Sequence, residues 1–286
     1  MTERLSDVSV RIGSVQQLSA VITAMRGIAA ARSREARSRL DGVRAYARTI
    51  AEAIGQALAY LPARPPAATR ASQSRHGIVA FCAEQGFVGA FNERVLDVAQ
   101  SLMAREPDHT SHLMLIGDRG LMSAAERGLA VAWSAPMVAH PAQAASLANR
   151  IVEEVYRQLD TAQMTHITIV HAGPGPSAAI EVREKEIIPF DFGRFPPAKR
   201  PQQPLFTLPP DVLLARLAEE YIFAELCEAI MLSFSAENEA RMRAMINAKS
   251  NVTRTLDELI ARSRQLRQEE ITNEILELES GESELP

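Results

Sequence analysis

Few residues in this chain have the type and spacing that chemistry requires. Gly86-Phe87-Val88-Gly89 and Gly173-Pro174-Gly175-Pro176 could bring backbone close to a phosphate, since glycine removes the Cβ barrier. Neither keeps the spacing of a dinucleotide fingerprint, and the second places prolines where a helix should open. No GxxxxGKS or GxxxxGKT phosphate loop occurs, so nucleotide hydrolysis by this chain alone is not expected. His109 and His112 are spaced like two metal ligands on one helix turn, but Pro107 and the apolar run that follows argue against a helix there. No cysteine or carboxylate cluster completes such a site. Cys82 and Cys227 form no CxxC pair and fit reduced thiols in a reducing compartment. His166 and His171 flank an apolar run and are expected at the surface or the edge of the core. Nothing resembles a GxSxG nucleophile elbow. The expectation is a chain with no catalytic residue, no cofactor and no metal.

Charge is more informative. Arg26, Arg32, Arg34, Arg37, Arg39, Arg44 and Arg48 crowd the first segment, opposed there by Glu35 and Asp41. Such a stripe is either a solvated helix face or a surface for an acidic partner. Only three of the 31 Lys+Arg residues are lysine, and arginine's planar fork suits persistent carboxylate contacts. Nucleic acid is not the expected partner, because the formal net charge is −4 and no aromatics interleave with the arginines. Beyond Arg267 the sign reverses: Glu269, Glu270, Glu274, Glu277, Glu279, Glu282 and Glu284 follow with no basic residue among them.

The elements that must position these charges follow from the helix breakers. Thr2 to Leu61 holds no proline, and Asp211 to Ser280 holds neither proline nor glycine. The second stretch predicts a helix of roughly 105 Å at about 1.5 Å per residue, too long for a globular body to hide. Asp211, after Pro209-Pro210, is the expected N-cap, and Gly281 lies where a C-terminal glycine belongs. Val15, Leu18, Ile22, Met25 and Ala29 step by 3 and 4, and so do Val43, Ala47, Ile50 and Ile54. Met242, Met245, Lys249, Val252, Leu256, Leu259, Ser263 and Leu266 repeat that step in the last segment. The two ends therefore read as a long antiparallel coiled coil; two amphipathic helices folded separately onto a globular body are the alternative.

Between them the pattern alternates. Strands are expected at His76–Cys82, His112–Gly117, Thr165–Val170 and Ala179–Phe190, with helices from Asn92, as its cap, to Arg105, near Leu121–Arg127, and over Ala142–Leu159. The fold class is α/β, a central Rossmann-like domain carried on the coiled coil. The expected boundaries are 1–61, 62–210 and 211–286. The polar N-terminus has no signal-peptide core, and no apolar run approaches the roughly 20 residues of a membrane helix. A cytosolic place, or the cytoplasmic face of a membrane assembly, is expected.

At this point a family resemblance enters. Ser14-Val15-Gln16, Ile22-Thr23-Ala24-Met25 and Ile28-Ala29-Ala30 resemble the first helix of the γ subunits of F-type ATP synthases. Ser235-Ala236-Glu237-Asn238-Glu239-Ala240-Arg241-Met242-Arg243-Ala244-Met245 is similar to that family's SE..ARM.AM segment. Arg267-Gln268-Glu269-Glu270-Ile271-Thr272-Asn273-Glu274-Ile275 resembles its RQ..IT.EI signature, and Gln85–Asn92 its GLCG turn with Val88 in place of the cysteine. The acidic tail replaces an apolar one, so the resemblance is to a divergent member, of the kind an alternative N-type ATPase would carry.

The resemblance implies a central rotor shaft, non-catalytic itself, that couples ion flow through a membrane rotor ring to ATP synthesis or hydrolysis. The implied partners are the α and β subunits of the catalytic ring, the ε subunit and the c-ring, with membrane association only through the complex. It implies that Arg267 and Gln268, with Glu269 and Thr272, contact ring loops. It places Met25 near the ring's lower mouth, and Arg32, Arg34, Arg37 and Arg39 toward acidic β-subunit segments. A coiled-coil scaffold or adaptor with an α/β head is the other reading.

Overall fold

The computed structural model describes residues 4–60, 75–105, 111–161, 164–175, 180–198 and 208–282, with side chains described as far as Leu276. Helix α1 spans Leu5–Leu58 and helix α5 spans Pro210–Glu282, 73 residues. Proline opens α5 itself: its fixed φ suits the first helical position, and the Leu213 amide donates to the Pro209 carbonyl at 2.9 Å. Asp211 thus sits in the first turn and is not the cap. Gly281 lies within the last turn, where a single glycine costs only about 1 kcal/mol.

Between the helices runs the order β1 (His76–Phe81), α2 (Phe91–Arg105), β2 (Ser111–Ile116), α3 (Asp118–Glu126), β3 (Val131–Ala135), α4 (Ala144–Asp160), β4 (His166–Pro174) and β5 (Ile180–Ile188). The strands form a five-stranded sheet in the order β3-β2-β1-β4-β5. The first four pair in parallel and β5 closes the β4 edge antiparallel. Strand β3 escapes a sequence reading because Val131-Ala132-Trp133-Ser134-Ala135 is short and three of its five residues are small; its partner β2 decides it.

By its internal packing the chain divides into two units, Ala30–Arg241 and the pair Met1–Ala29 with Met242–Pro286. In the first unit each face of the sheet is covered. Ile78, Ala80, Val170 and Ala172 pack against Val95, Leu96 and Ala99 of α2. Val79, Phe81, Ile167 and Ile169 pack with α4, with Ala36 and Leu40 of α1, and with Leu226, Ile230 and Phe234 of α5. A third cluster joins Ile54, Ala57 and Leu58 of α1 to Phe195 and Leu214, beside the rings of Phe190, Phe192 and Tyr221. Helices α1 and α5 run antiparallel here: Ser33 meets Ser235, Arg44 meets Glu228, and Tyr46 meets Glu220.

The second unit is a helix pair. Val8, Ile22 and Ala29 of α1 are buried in it, as are Met245 and Leu259 of α5. Leu18, expected in the seam, is 50% exposed. Stepping from Val8 by 4 and 3 puts Ser19 there instead, where its hydroxyl accepts from the Lys249 ammonium. A single choice of three or four residues per step decides which neighbour faces the partner helix.

Candidate functional site

Taken residue by residue, the arginine stripe of α1 is not one surface. Arg37 is ion-paired to Glu239 across the helix pair. Arg39 reaches back along its own helix to Glu35 at 3.3 Å, and Arg44 Nε donates to Glu228 at 2.8 Å. Arg32 is half-buried and Arg34 is exposed; neither has an ion pair among the described residues. Arg34 is therefore open to a partner, as is Arg48 further along the helix, which is also exposed and has no ion pair among the described residues. Met25 belongs to the other unit and is half-buried there.

Near the end of α5 the expected contact residues share an open stretch. Arg267, Gln268, Glu269 and Thr272 are all exposed, as is every residue from Arg267 to Leu276. Their internal bonds stay local: Gln265 Nε2 donates to Glu269 at 2.9 Å, and the Thr272 hydroxyl to the Gln268 carbonyl at 2.8 Å. Ile271 and Ile275 are 49% and 53% exposed, one turn apart. Apart from these two local bonds, the side chains from Arg267 to Leu276 stand open at the surface of the helix.

The middle of α5 is the opposite case. From Ile222 to Arg241 nearly every residue is buried, because α1 covers one side and the sheet and its loops the other. Polar groups lie inside this packing. Arg241 Nη2 donates to Glu237 at 2.6 Å, with both side chains almost fully buried. The same guanidinium donates to the carbonyls of Gln85 at 3.1 Å and Gly86 at 3.2 Å in the β1–α2 loop. The Gln85 amide in turn donates to Glu237 at 3.4 Å. Burial pushes the Glu237 carboxyl above the ordinary carboxylate range, against the pull of Arg241. Phe87, next in the loop, holds φ at 61° with its ring 68% exposed, a left-handed conformation unusual for a bulky residue.

Other pins surround the same helix. Ser33 and Ser235 share a hydrogen bond of 3.0 Å, and Ser33 donates to Glu239 at 3.3 Å. The Ala172 amide at the end of β4 donates to Ser233 at 3.2 Å. Buried Glu225 holds Lys185 of β5 at 2.6 Å and Arg194 at 2.9 Å. Asn92, expected as a helix cap, instead sits one residue inside α2, where its Oδ1 accepts from the Ala83 amide at 2.9 Å. It staples the loop leaving β1 because Phe91 already fills the first helical position.

The groups considered for catalysis lie elsewhere and do other work. His166 and His171, expected at the surface or the edge of the core, are buried on β4, a strand covered on both faces. His76 and Thr168 share a hydrogen bond of 2.8 Å. Burial holds the His171 imidazole below its ordinary range. His109 lies outside the described residues, and His112 stands on β2. Among the described residues no three His, Cys, Asp or Glu side chains group to hold a metal. Burial pushes the Cys82 thiol to about 12 and the Cys227 thiol to about 11. Both should stay unmodified by iodoacetamide at pH 8 in the folded chain and react fully in denaturant. Native-state alkylation at the denatured rate, read by mass spectrometry, would refute that placement.

Comparison with known proteins supplies the context. A family model described as ATP synthase matches residues 4–285. The ATP synthase gamma chain of Solibacter usitatus is 27% identical, over 97% of this chain and 97% of its own length. That of Ruegeria pomeroyi is 28% identical, over 97% and 98%. Among solved structures, a chain of the rotor of Euglena gracilis mitochondrial ATP synthase superposes with a TM-score of 0.66 at 13% identity, covering 93% of this chain and 98% of that one. A second Euglena gracilis structure, of OSCP, F1 and c-ring, gives a TM-score of 0.69 at 14% identity, covering 98% and 93%. At these identities the structures speak to the fold.

Proposed function

This chain belongs to the ATP synthase γ family, and from that premise we propose how it works as the non-catalytic central rotor shaft of the complex. The observation that carries the reading is the family match over residues 4–285, joined to two long end helices around an α/β head. Segments 1–61 and 211–286 form the shaft, and 62–210 the head. The shaft turns inside a ring of α and β subunits, while the head meets ε and the membrane c-ring. The complex sits on the cytoplasmic face of the membrane.

The mechanism needs asymmetry and no bond chemistry. A shaft with unlike faces makes different contacts with three otherwise identical sites, and those differences in contact energy bias the sites into different states. Turning the shaft exchanges the states, so rotation and nucleotide chemistry are coupled reciprocally. The faces differ as this requires. Arg34, and Arg32 two residues earlier on the far side of the helix, present cations to acidic segments of the ring, while Arg37 and Arg39 stiffen the helices through their carboxylate partners. Met25 lies near the ring mouth. Arg267, Gln268, Glu269 and Thr272 offer hydrogen-bonding groups to ring loops from an exposed stretch whose internal bonds are local.

Co-expression tests the proposal. The tagged chain should bring down α, β and ε subunits in a complex that hydrolyses ATP, whereas the chain purified alone should show no turnover. Recovery of the chain without those subunits, or robust turnover by the chain purified alone that is lost on its mutation, would sink the assignment.

A further inference from the structure

Stability alone does not account for the polar groups buried around the middle of α5. Replacing a buried ion pair by apolar side chains of similar volume is often neutral or stabilising, because desolvation offsets the attraction. Yet this helix carries Ser233, Ser235, Glu237, Glu239 and Arg241 through a packed interior. Their spacing is regular. Ser233, Glu237 and Arg241 follow at i, i+4 and i+8 on one face, against the end of β4 and the β1–α2 loop. Ser235 and Glu239 follow at i and i+4 on a face about 200° away at 100° per residue, against Ser33 and Arg37 of α1.

We propose that these side chains form a spline that locks α5 against rotation about its own axis inside the head, so that torque passes between shaft helix and head without slip. The inference rests on the rotor reading above. The physical reason is direction. Apolar packing is non-directional, so a helix turning in an apolar socket exchanges one set of dispersion contacts for another. Hydrogen bonds are not exchanged so easily. A turn of roughly 20° moves a side-chain tip, about 5–6 Å from the axis, by about 2 Å. That displacement exceeds the tolerance of bonds that lie between 2.6 and 3.2 Å here. Pins on two nearly opposite faces resist rotation in both senses, where one face alone would leave a hinge. The left-handed Phe87 fits the same account: a loop gripped at two successive carbonyls by Arg241 cannot relax to a commoner backbone shape.

The test removes each set of pins while keeping the packing. Glu237→Leu with Arg241→Met leaves no buried charge unpaired, and Ser33→Ala with Ser235→Ala removes both hydroxyls of the α1 pin together. Each double variant is assembled into the whole complex, and the torsional stiffness of the shaft is read from the angular fluctuation of a bead on the head with the ring fixed. The expected result is a loss of stiffness in both variants, each still folded and assembled, with ATP hydrolysis retained. Wild-type stiffness in variants that assemble and turn would overturn the spline while leaving the rotor reading intact. A wild-type complex in which the head does not turn against the ring would overturn both.

Discussion

Arg241→Met, made alone, should lower the stability of the purified chain by about 3–5 kcal/mol, the range for removing one partner of a buried pair. The loss is large beside the 5–15 kcal/mol that holds a typical domain together. It arises because Glu237 stays behind, buried and without its cation, and because the Gln85 and Gly86 carbonyls lose their donor. The pH dependence has a definite sign. Burial already raises the Glu237 carboxyl in the folded chain, and loss of Arg241 raises it further. A carboxyl with a raised folded pKa contributes stability below its unfolded value and loses it as pH rises through the folded value. The deficit of the variant should therefore shrink as pH falls and Glu237 takes up its proton. Urea unfolding at several pH values, with the slope unchanged, measures it. A deficit constant with pH would show that Glu237 is not the group left exposed to the interior.

Arg34→Glu should separate coupling from folding. Arg34 is exposed and makes no ion pair among the described residues, so its reversal should leave stability within about 0.5 kcal/mol. In the assembled complex, ions pumped per ATP hydrolysed should fall by about fivefold, the effect of a coupling free energy near 1 kcal/mol. Arg37→Glu provides the contrast, since it sets a carboxylate against Glu239 and should destabilise the chain before any partner is present. Proton uptake into vesicles, measured beside ATP hydrolysis, reads the first; thermal unfolding reads the second. An unchanged ratio of pumping to hydrolysis in Arg34→Glu would remove that face from the mechanism.

What the sequence determined by itself was local. The absence of breakers over Asp211–Ser280 makes one helix, because nothing there interrupts the backbone ladder. The apolar runs around Ile78, Leu113 and Ile167 make buried parallel strands, since only a strand covered on both faces tolerates such continuous hydrophobicity. At Arg267–Thr272 the motif implied a contact role, and the structure adds that the stretch is exposed. Tertiary structure decided the rest. Glu237-Asn238-Glu239 reads in sequence as a solvated turn of helix, yet all three are buried, because the covering comes from α1 and the β1–α2 loop, about 150 to 200 residues away in the chain. Which arginines of the stripe remain open to a partner was likewise undecided until Glu239 and Glu228 were brought across to Arg37 and Arg44. Periodicity fixes the face on which a side chain stands, but its charge is spent or kept free according to what distant segments place opposite it.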